Sequence, residues 1–150
     1  KDAHPARYTV ALRDDIASRL ASRRGDRARA LFYAQRAFDA WDVHTENQPE
    51  VMPEPAMRFQ LATLLRASGS ADSAMALFRS LTPPATWMGF YTARASLELG
   101  ELSEEARDLG TAQRAYLTAS RMWERGDSSV APLRERARRG LARIAEGGRR

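Results

Sequence analysis

The residues able to do acid–base or nucleophilic chemistry are few and scattered. The two histidines, His4 and His44, fall in an N-terminal stretch and in a polar, proline-flanked segment. Paired carboxylates can share acid–base work only when both side chains reach one atom. The adjacent pairs here are Asp14–Asp15 and Glu104–Glu105. Neighbours on a helix point about 100° apart, so neither pair converges. Both pairs are expected on solvated helix surface. No His-Glu-x-x-His, phosphate loop or Gly-x-Ser-x-Gly occurs. With a cysteine count of 0, disulfides and thiolate metal sites are excluded. The sequence therefore predicts no catalytic residues, no metal and no cofactor, and a chain that is not an enzyme.

The elements that carry these side chains read as helices. Tyr8, Leu12, Ile16 and Leu20 recur every four residues and form an apolar stripe on a helix over 6–23. Gly25 stops it and Asp26 caps the next, over 27–42, which carries Ala30, Ala34, Ala37, Phe38 and Trp41 on one side. Residues 43–54, with Pro49 and Pro53, read as a loop. A third helix is expected over 55–67, with Pro55 tolerated in its first turn. Gly69 ends it, and Ser70 or Asp72 caps a fourth over 72–81, closed by Pro83 and Pro84. Thr86 can cap a fifth over 87–106. A sixth runs over 110–124 and a seventh over 131–145, where Leu133, Ala137, Leu141 and Ile144 make one stripe opposite arginines. Strand signals are weak.

The bulk numbers fit this reading. Over 150 residues, 43% are hydrophobic and 29% charged, values of an ordinary globular chain rather than a disordered one. The net charge of +5 resides in residues 131–150, where Arg134, Arg136, Arg138, Arg139, Arg143, Arg149 and Arg150 face two glutamates. Residues 1–130 hold as many acidic as basic side chains, which argues against nucleic acid as a partner. The face from Arg134 to Arg143 is expected to be a solvated outer surface. Among the basic residues Lys1 is the one lysine; this bias, with abundant alanine, fits a GC-rich bacterial genome. No apolar run reaches the ~18–20 residues that span a bilayer, so membrane insertion is not expected. The sequence opens on Lys1 without methionine, which fits a fragment or an exported, processed product; the compartment is open.

The helices repeat. Leu61-Ala62-x-x-Leu65 is followed by Ala74-x-x-x-Phe78-x-x-Leu81, and Leu99-Gly100 by Ala112-x-x-x-Tyr116-x-x-Ala119. A weaker copy is Ala17-Ser18-x-x-Ala21, Gly25, Ala30-x-x-x-Ala34-x-x-Ala37. This pattern resembles the tetratricopeptide repeat. Copies lie near 11–44, 55–88 and 93–126, with a capping helix near 131–145. They start 44 and then 38 residues apart, wider than the family's usual repeat, and Arg107 stands where the family carries a turn glycine. Residues Leu97 to Ile144 also resemble the last repeat and terminal helix of bacterial regulators.

The resemblance implies an all-α, right-handed stack of antiparallel helical hairpins forming a single domain of about seven helices. Small residues such as Ala62, Gly100, Ala74 and Ala112 would sit where paired helices approach, and Phe78 and Tyr116 would fill the gap to the next hairpin. It implies a non-catalytic scaffold that holds a protein or peptide partner on its first helices. The positions carried over are Asp15, Arg19, Ser22, Phe59, Thr63, Arg66, Leu97, Glu101 and Glu104, with Phe59 and Arg66 as anchors. The Lys and Asn clamp of chaperone-tail-binding members is absent, since Asp15–Ile16, Phe59–Gln60 and Leu97–Glu98 occupy its places. Two alternatives stand beside the scaffold. One is a self-assembling subunit, with Trp87, Phe90 and Tyr91 as a self-association patch. The other is the regulatory C-terminal region of a larger bacterial signalling protein.

Overall fold

Three tight turns organise the chain, and they share one geometry. At Gly25 the backbone takes φ of 76° and at Gly69 of 86°. The Gly25 N–H donates to the Ser22 carbonyl at 3.1 Å and the Asp26 N–H to the Ala21 carbonyl at 3.0 Å. Gly69 donates to Arg66 at 3.1 Å and Ser70 to Leu65 at 2.9 Å in the same pattern. Arg107 donates to Glu104 at 3.1 Å and Asp108 to Ser103 at 2.9 Å. These paired bonds close the free carbonyls of a helix C-terminus through a left-handed residue. The residue that follows each turn starts the next helix. The Asp26 carboxylate accepts from the Arg29 N–H at 3.1 Å, and Asp108 from the Thr111 N–H at 3.0 Å. Ser70 offers its carbonyl to the Ala74 N–H at 3.0 Å.

Arg107 therefore holds the turn-glycine place, at a φ of 63°. Its Cβ is crowded there, which disfavours the conformation by ~1–2 kcal/mol, part of which glycine returns as unfolded-state entropy. Arg107→Gly is expected to stabilise the protein by about 1 kcal/mol, read as a higher denaturant midpoint with unchanged slope. A lower midpoint would mean that the side chain contributes contacts worth more than the strain.

The computed structural model describes residues 4–42, 53–83 and 89–147. Among them lie seven α-helices and no strand: α1 His4–Arg23, α2 Arg27–Asp42, α3 Pro53–Ala67, α4 Ala71–Ser80, α5 Gly89–Glu105, α6 Leu109–Met122 and α7 Ala131–Gly147. A short 3-10 turn, Ser128–Val130, precedes α7. The fold class is all-α, as the sequence predicts. Most of the expected loop over 43–54 and the enlarged turn after Pro83 lie outside the described residues, as do His44, Thr86 and Trp87.

The described residues gather into two compact units, 1–77 and 78–150, with the division inside α4. In the first, α1 packs along α2, and α2 packs on α3. Its core joins Ala11, Ala37 and Met57, with Leu12, Ala40 and Trp41 at the edge. In the second, α5 pairs with α6, and α7 lies on both. Ala93, Leu97, Ala112, Tyr116, Ala119, Trp123 and Ala137 form its core. The α7 stripe of Leu133, Leu141 and Ile144 packs against them.

The repeated small residues are where close approach demands them. Ala30, Ala74 and Ala112 each stand four residues after a cap and are fully buried. Ser18, Ala62 and Gly100 are their buried counterparts on the preceding helices. In the first unit the Ser18 hydroxyl donates to the Ala30 carbonyl at 2.9 Å, which ties α1 to α2. In the second, the Tyr116 ring lies against the Gly100 backbone; a Cβ at Gly100 would meet Tyr116 Cδ1 at 2.7 Å. The other side of the same ring covers Gly140 of α7, where a Cβ would meet Cδ2 at 2.8 Å.

The stripe Leu12–Ile16–Leu20 lies on a helix, as expected, but only Leu12 reaches the core. Ile16 is 59% and Leu20 46% exposed, while Leu12 sits at the core's edge. The buried face of α1 is Ala11, Asp14, Ser18 and Ala21. Small side chains there let the helices close up, and close packing outweighs the larger apolar area that Ile16 and Leu20 would have buried.

Candidate interaction surface

The first helices of the first unit bring several of the expected partner-binding residues together. Gln60 Nε2 of α3 donates to Ser22 Oγ of α1 at 3.2 Å, a single side-chain link between the two helices. On α1, Arg19 donates from Nε to Asp15 Oδ2 at 2.8 Å, one turn away. On α3, Phe59, Thr63 and Arg66 fall at spacings of four and three residues and so share a face. Thr63 is exposed, and its hydroxyl donates to the Phe59 carbonyl at 2.8 Å, within the helix. Phe59 and Arg66 are half-buried. Beside them, Arg58 pairs with Glu54 and stacks 5.7 Å from the centre of the Phe38 ring.

The second unit does not present its expected residues in that way. Leu97 is 1% exposed and belongs to the core with Tyr116 and Ala137, so it is withdrawn from any partner contact. Its place on α5 faces α6 and α7, because α5 carries buried residues around most of its girth: Thr92, Ala93, Ala95, Ser96, Leu97, Leu99, Leu102 and Ser103. Glu101 is engaged by α7, where Arg136 Nη2 donates to its two carboxylate oxygens at 2.8 and 2.9 Å. The same guanidinium lies 3.5 Å from Glu98. At the start of α5, Phe90 is 60% exposed, stands edge-on to Tyr91 at 5.3 Å and carries Arg94 over its ring at 5.2 Å. Trp87, the third member of the expected self-association patch, lies outside the described residues.

Two expectations about charged side chains need correction. Asp14 is not solvated: it is 1% exposed, on the face of α1 that meets α2. Arg13 donates to its Oδ1 at 3.0 Å, and Arg36 reaches across from α2 to within 3.2 Å of Oδ2. A carboxylate enters such a face only with its charge compensated, and Arg36 supplies the compensation. The arginine face of α7 is a solvated outer surface only in part, at Arg138 and Arg139. Arg136 and Arg143 cross to α5, while Arg134 Nη1 donates to the Trp123 carbonyl at 3.2 Å, closing the C-terminus of α6.

The densest polar network centres on Glu104. The Tyr116 hydroxyl donates to its Oε2 at 2.7 Å, and Arg143 donates to both oxygens at 2.8 Å. Glu101, Glu104, Glu105, Arg107 and Arg143 line an open cleft of about 500 Å³. Sequence reasoning gave Glu104 and Tyr116 separate roles and missed the link. The available signal was spacing: Gly140 sits mid-helix, where glycine weakens a helix unless something packs against it.

The network makes stability pH-dependent at both ends. The Arg143 hydrogen bond, helped by Tyr116 and opposed by burial, holds the Glu104 carboxyl below its ordinary value of 4.5. A depressed carboxylate contributes stability that is present above that value and lost as the pH falls through the folded one. Burial, and then the Glu104 bond, push the Tyr116 phenol above its ordinary 10.0. Its contribution is present below 10.0 and is lost as the pH climbs past it. Melting temperature is therefore expected to drop on both sides of this window. Glu104→Gln should flatten the acid limb relative to the wild type; identical acid limbs would remove Glu104 from the account.

No protein-family model, no curated protein and no solved structure matches the chain. No helix among the described residues is long and apolar enough to cross a membrane.

Proposed function

We propose that this chain is a non-catalytic protein-interaction scaffold of the tetratricopeptide-repeat type, holding a peptide or protein partner on α1 and α3. The observation that carries this reading is the threefold turn: Gly25, Gly69 and Arg107 share one left-handed geometry, each followed by a capping residue and a fully buried alanine. A unit reused three times with small residues at its close contacts is the economy of a repeat scaffold, whose exposed helix faces are left to vary. The working surface is Arg19, Ser22, Phe59, Thr63 and Arg66.

Affinity capture with the immobilised chain tests it, comparing wild type with Thr63→Arg and with the double variant Phe59→Ala, Arg66→Ala. Thr63 is exposed, so Thr63→Arg keeps the fold and blocks the surface. A partner retained by wild type and by Arg138→Gln, and lost from both surface variants, supports the reading. Partners retained equally by all variants place binding elsewhere, and no saturable partner at all removes the scaffold. A second reading, self-assembly, draws on the exposure of Phe90 beside Tyr91. Light scattering across a dilution series separates it: a monomer at every concentration removes it.

A further inference from the structure

The outward face of α1 is an apolar stripe with a cationic rim. Ile16 and Leu20 stand one turn apart and are exposed. Arg13 and Arg19 flank Ile16 at three residues on either side, and Arg23 and Arg24 follow Leu20 by three and four. Residues at these spacings are neighbours on a helix surface, and Arg24 stands just past the last residue of α1. Arg13 is 61% and Arg19 46% exposed along the side chain, and Arg23 and Arg24 are exposed as well. Asp14 and Asp15 each hold one member of that rim, Arg13 and Arg19, so Arg23 and Arg24 carry its net charge. Asp14 is buried towards α2, and Asp15 is held by Arg19.

The chain itself shows what a surface of this kind packs against. In α7, the stripe Leu133, Ala137, Leu141 and Ile144 is flanked by Arg136 and Arg143. It packs on α6 and α5, and along α5 Glu98, Glu101 and Glu104 recur every three residues beside Leu97. Arg136 takes Glu101 at 2.8 Å, and Arg143 takes Glu104 at 2.8 Å. The apolar contacts hold the helices together, and the charge pairs fix which helix fits and in what register.

We propose that the outward face of α1 docks an amphipathic acidic helix of a partner protein, with leucine-like residues on Ile16 and Leu20 and carboxylates on Arg23 and Arg24. A second copy of this chain fits poorly. Among the described residues, the one helix with three carboxylates on a face is α5, and its own α7 occupies them. Packing α1 on α1 would set arginine rim against arginine rim. The proposal rests on the scaffold reading; its surface meets that one at Arg19 but does not include Phe59, Thr63 or Arg66, so the two can fail separately.

The test uses the full chain and a fluorescein-labelled, helix-stapled synthetic peptide with Leu at i, i+4 and i+7 and Glu on both flanks, read by anisotropy. Its controls are the same peptide with Lys for Glu, and vesicles containing phosphatidylserine. The acidic peptide is expected to bind saturably, and more weakly as salt rises. Ile16→Glu and Leu20→Glu should each weaken binding by about tenfold or more. Circular dichroism and melting should stay those of wild type, because both side chains are exposed. The double charge reversal Arg23→Glu, Arg24→Glu should shift preference to the Lys peptide. Thr63→Arg should bind the acidic peptide as wild type does; its loss there would assign the peptide to the α3 surface and overturn the proposal. Equal binding of both peptides would reduce the face to non-selective stickiness and overturn it. So would vesicle binding without peptide binding, or a wild-type dimer that Ile16→Glu converts to monomer.

Discussion

Enlarging Gly140 is expected to unseat α7. Tyr116 is fully buried, and its ring fills the space between Gly100 of α5 and Gly140 of α7. A side chain at either glycine meets the ring closer than carbon atoms tolerate. The ring cannot swing aside about χ1 without breaking its hydroxyl's bond to Glu104 at 2.7 Å, and Glu104 is itself tied to Arg143. Gly140→Val must therefore displace the ring, the tyrosine bond or the whole of α7. Overpacking of this kind costs ~1–3 kcal/mol, and loss of the tyrosine bond to a charged acceptor adds about 1.5–3 kcal/mol. The opposing change, Tyr116→Ala, opens a cavity and is expected to cost ~3–5 kcal/mol. The two should not add. In a cycle combining Gly140→Val with Tyr116→Leu, valine fills part of the space the smaller side chain leaves, so the double variant should be more stable than the sum of singles predicts. Denaturant midpoints measure all four corners. Strict additivity would mean that the ring and the glycine do not meet.

How much of this was legible in the sequence depends on the kind of signal. Helix boundaries were, because they are local: Gly25 with Asp26 and Gly69 with Ser70 announce a stop and a start. The third turn reads as irregular in the sequence because Arg107 stands in place of a glycine. It is nevertheless the same turn, since the carbonyl pairing and the Asp108 cap impose left-handed backbone on whatever residue is there. The buried alanines at 30, 74 and 112 were legible through the repeat motif, where each heads an Ala-x-x-x pattern on a second helix. Partners across helices were not. Nothing in the spacing of Asp14 tells that Arg36 arrives from α2, nor that Arg136 and Arg143 turn inwards to α5. Repeat register puts Leu97 on a binding surface, but α7 covers that side of α5. A register rule written for a repeat with a neighbour on one side misplaces a residue when another helix folds back over it.

Exchanging the faces of α1 is the sharpest test of the first unit. Hydrophobic periodicity alone ranks Ile16 and Leu20 as core and Ser18 as surface. The structure reverses this, with Ser18 fully buried and donating to the Ala30 carbonyl at 2.9 Å, and Ile16 largely exposed. Ser18→Leu inserts a side chain where α1 and α2 touch and removes the hydrogen bond. The expected cost is about 2–4 kcal/mol, from overpacking and one neutral bond together. Ser18→Ala keeps the space and loses only the bond, for about 1 kcal/mol. Ile16→Glu puts a charge on an exposed position between Arg13 and Arg19, and its effect is expected within ~0.5 kcal/mol. The order Ser18→Leu, then Ser18→Ala, then Ile16→Glu is the signature of a helix that buries its small side chains. The opposite order, with Ile16→Glu the most damaging, would mean that α1 is rotated about its axis and that the large apolar stripe is its inner face.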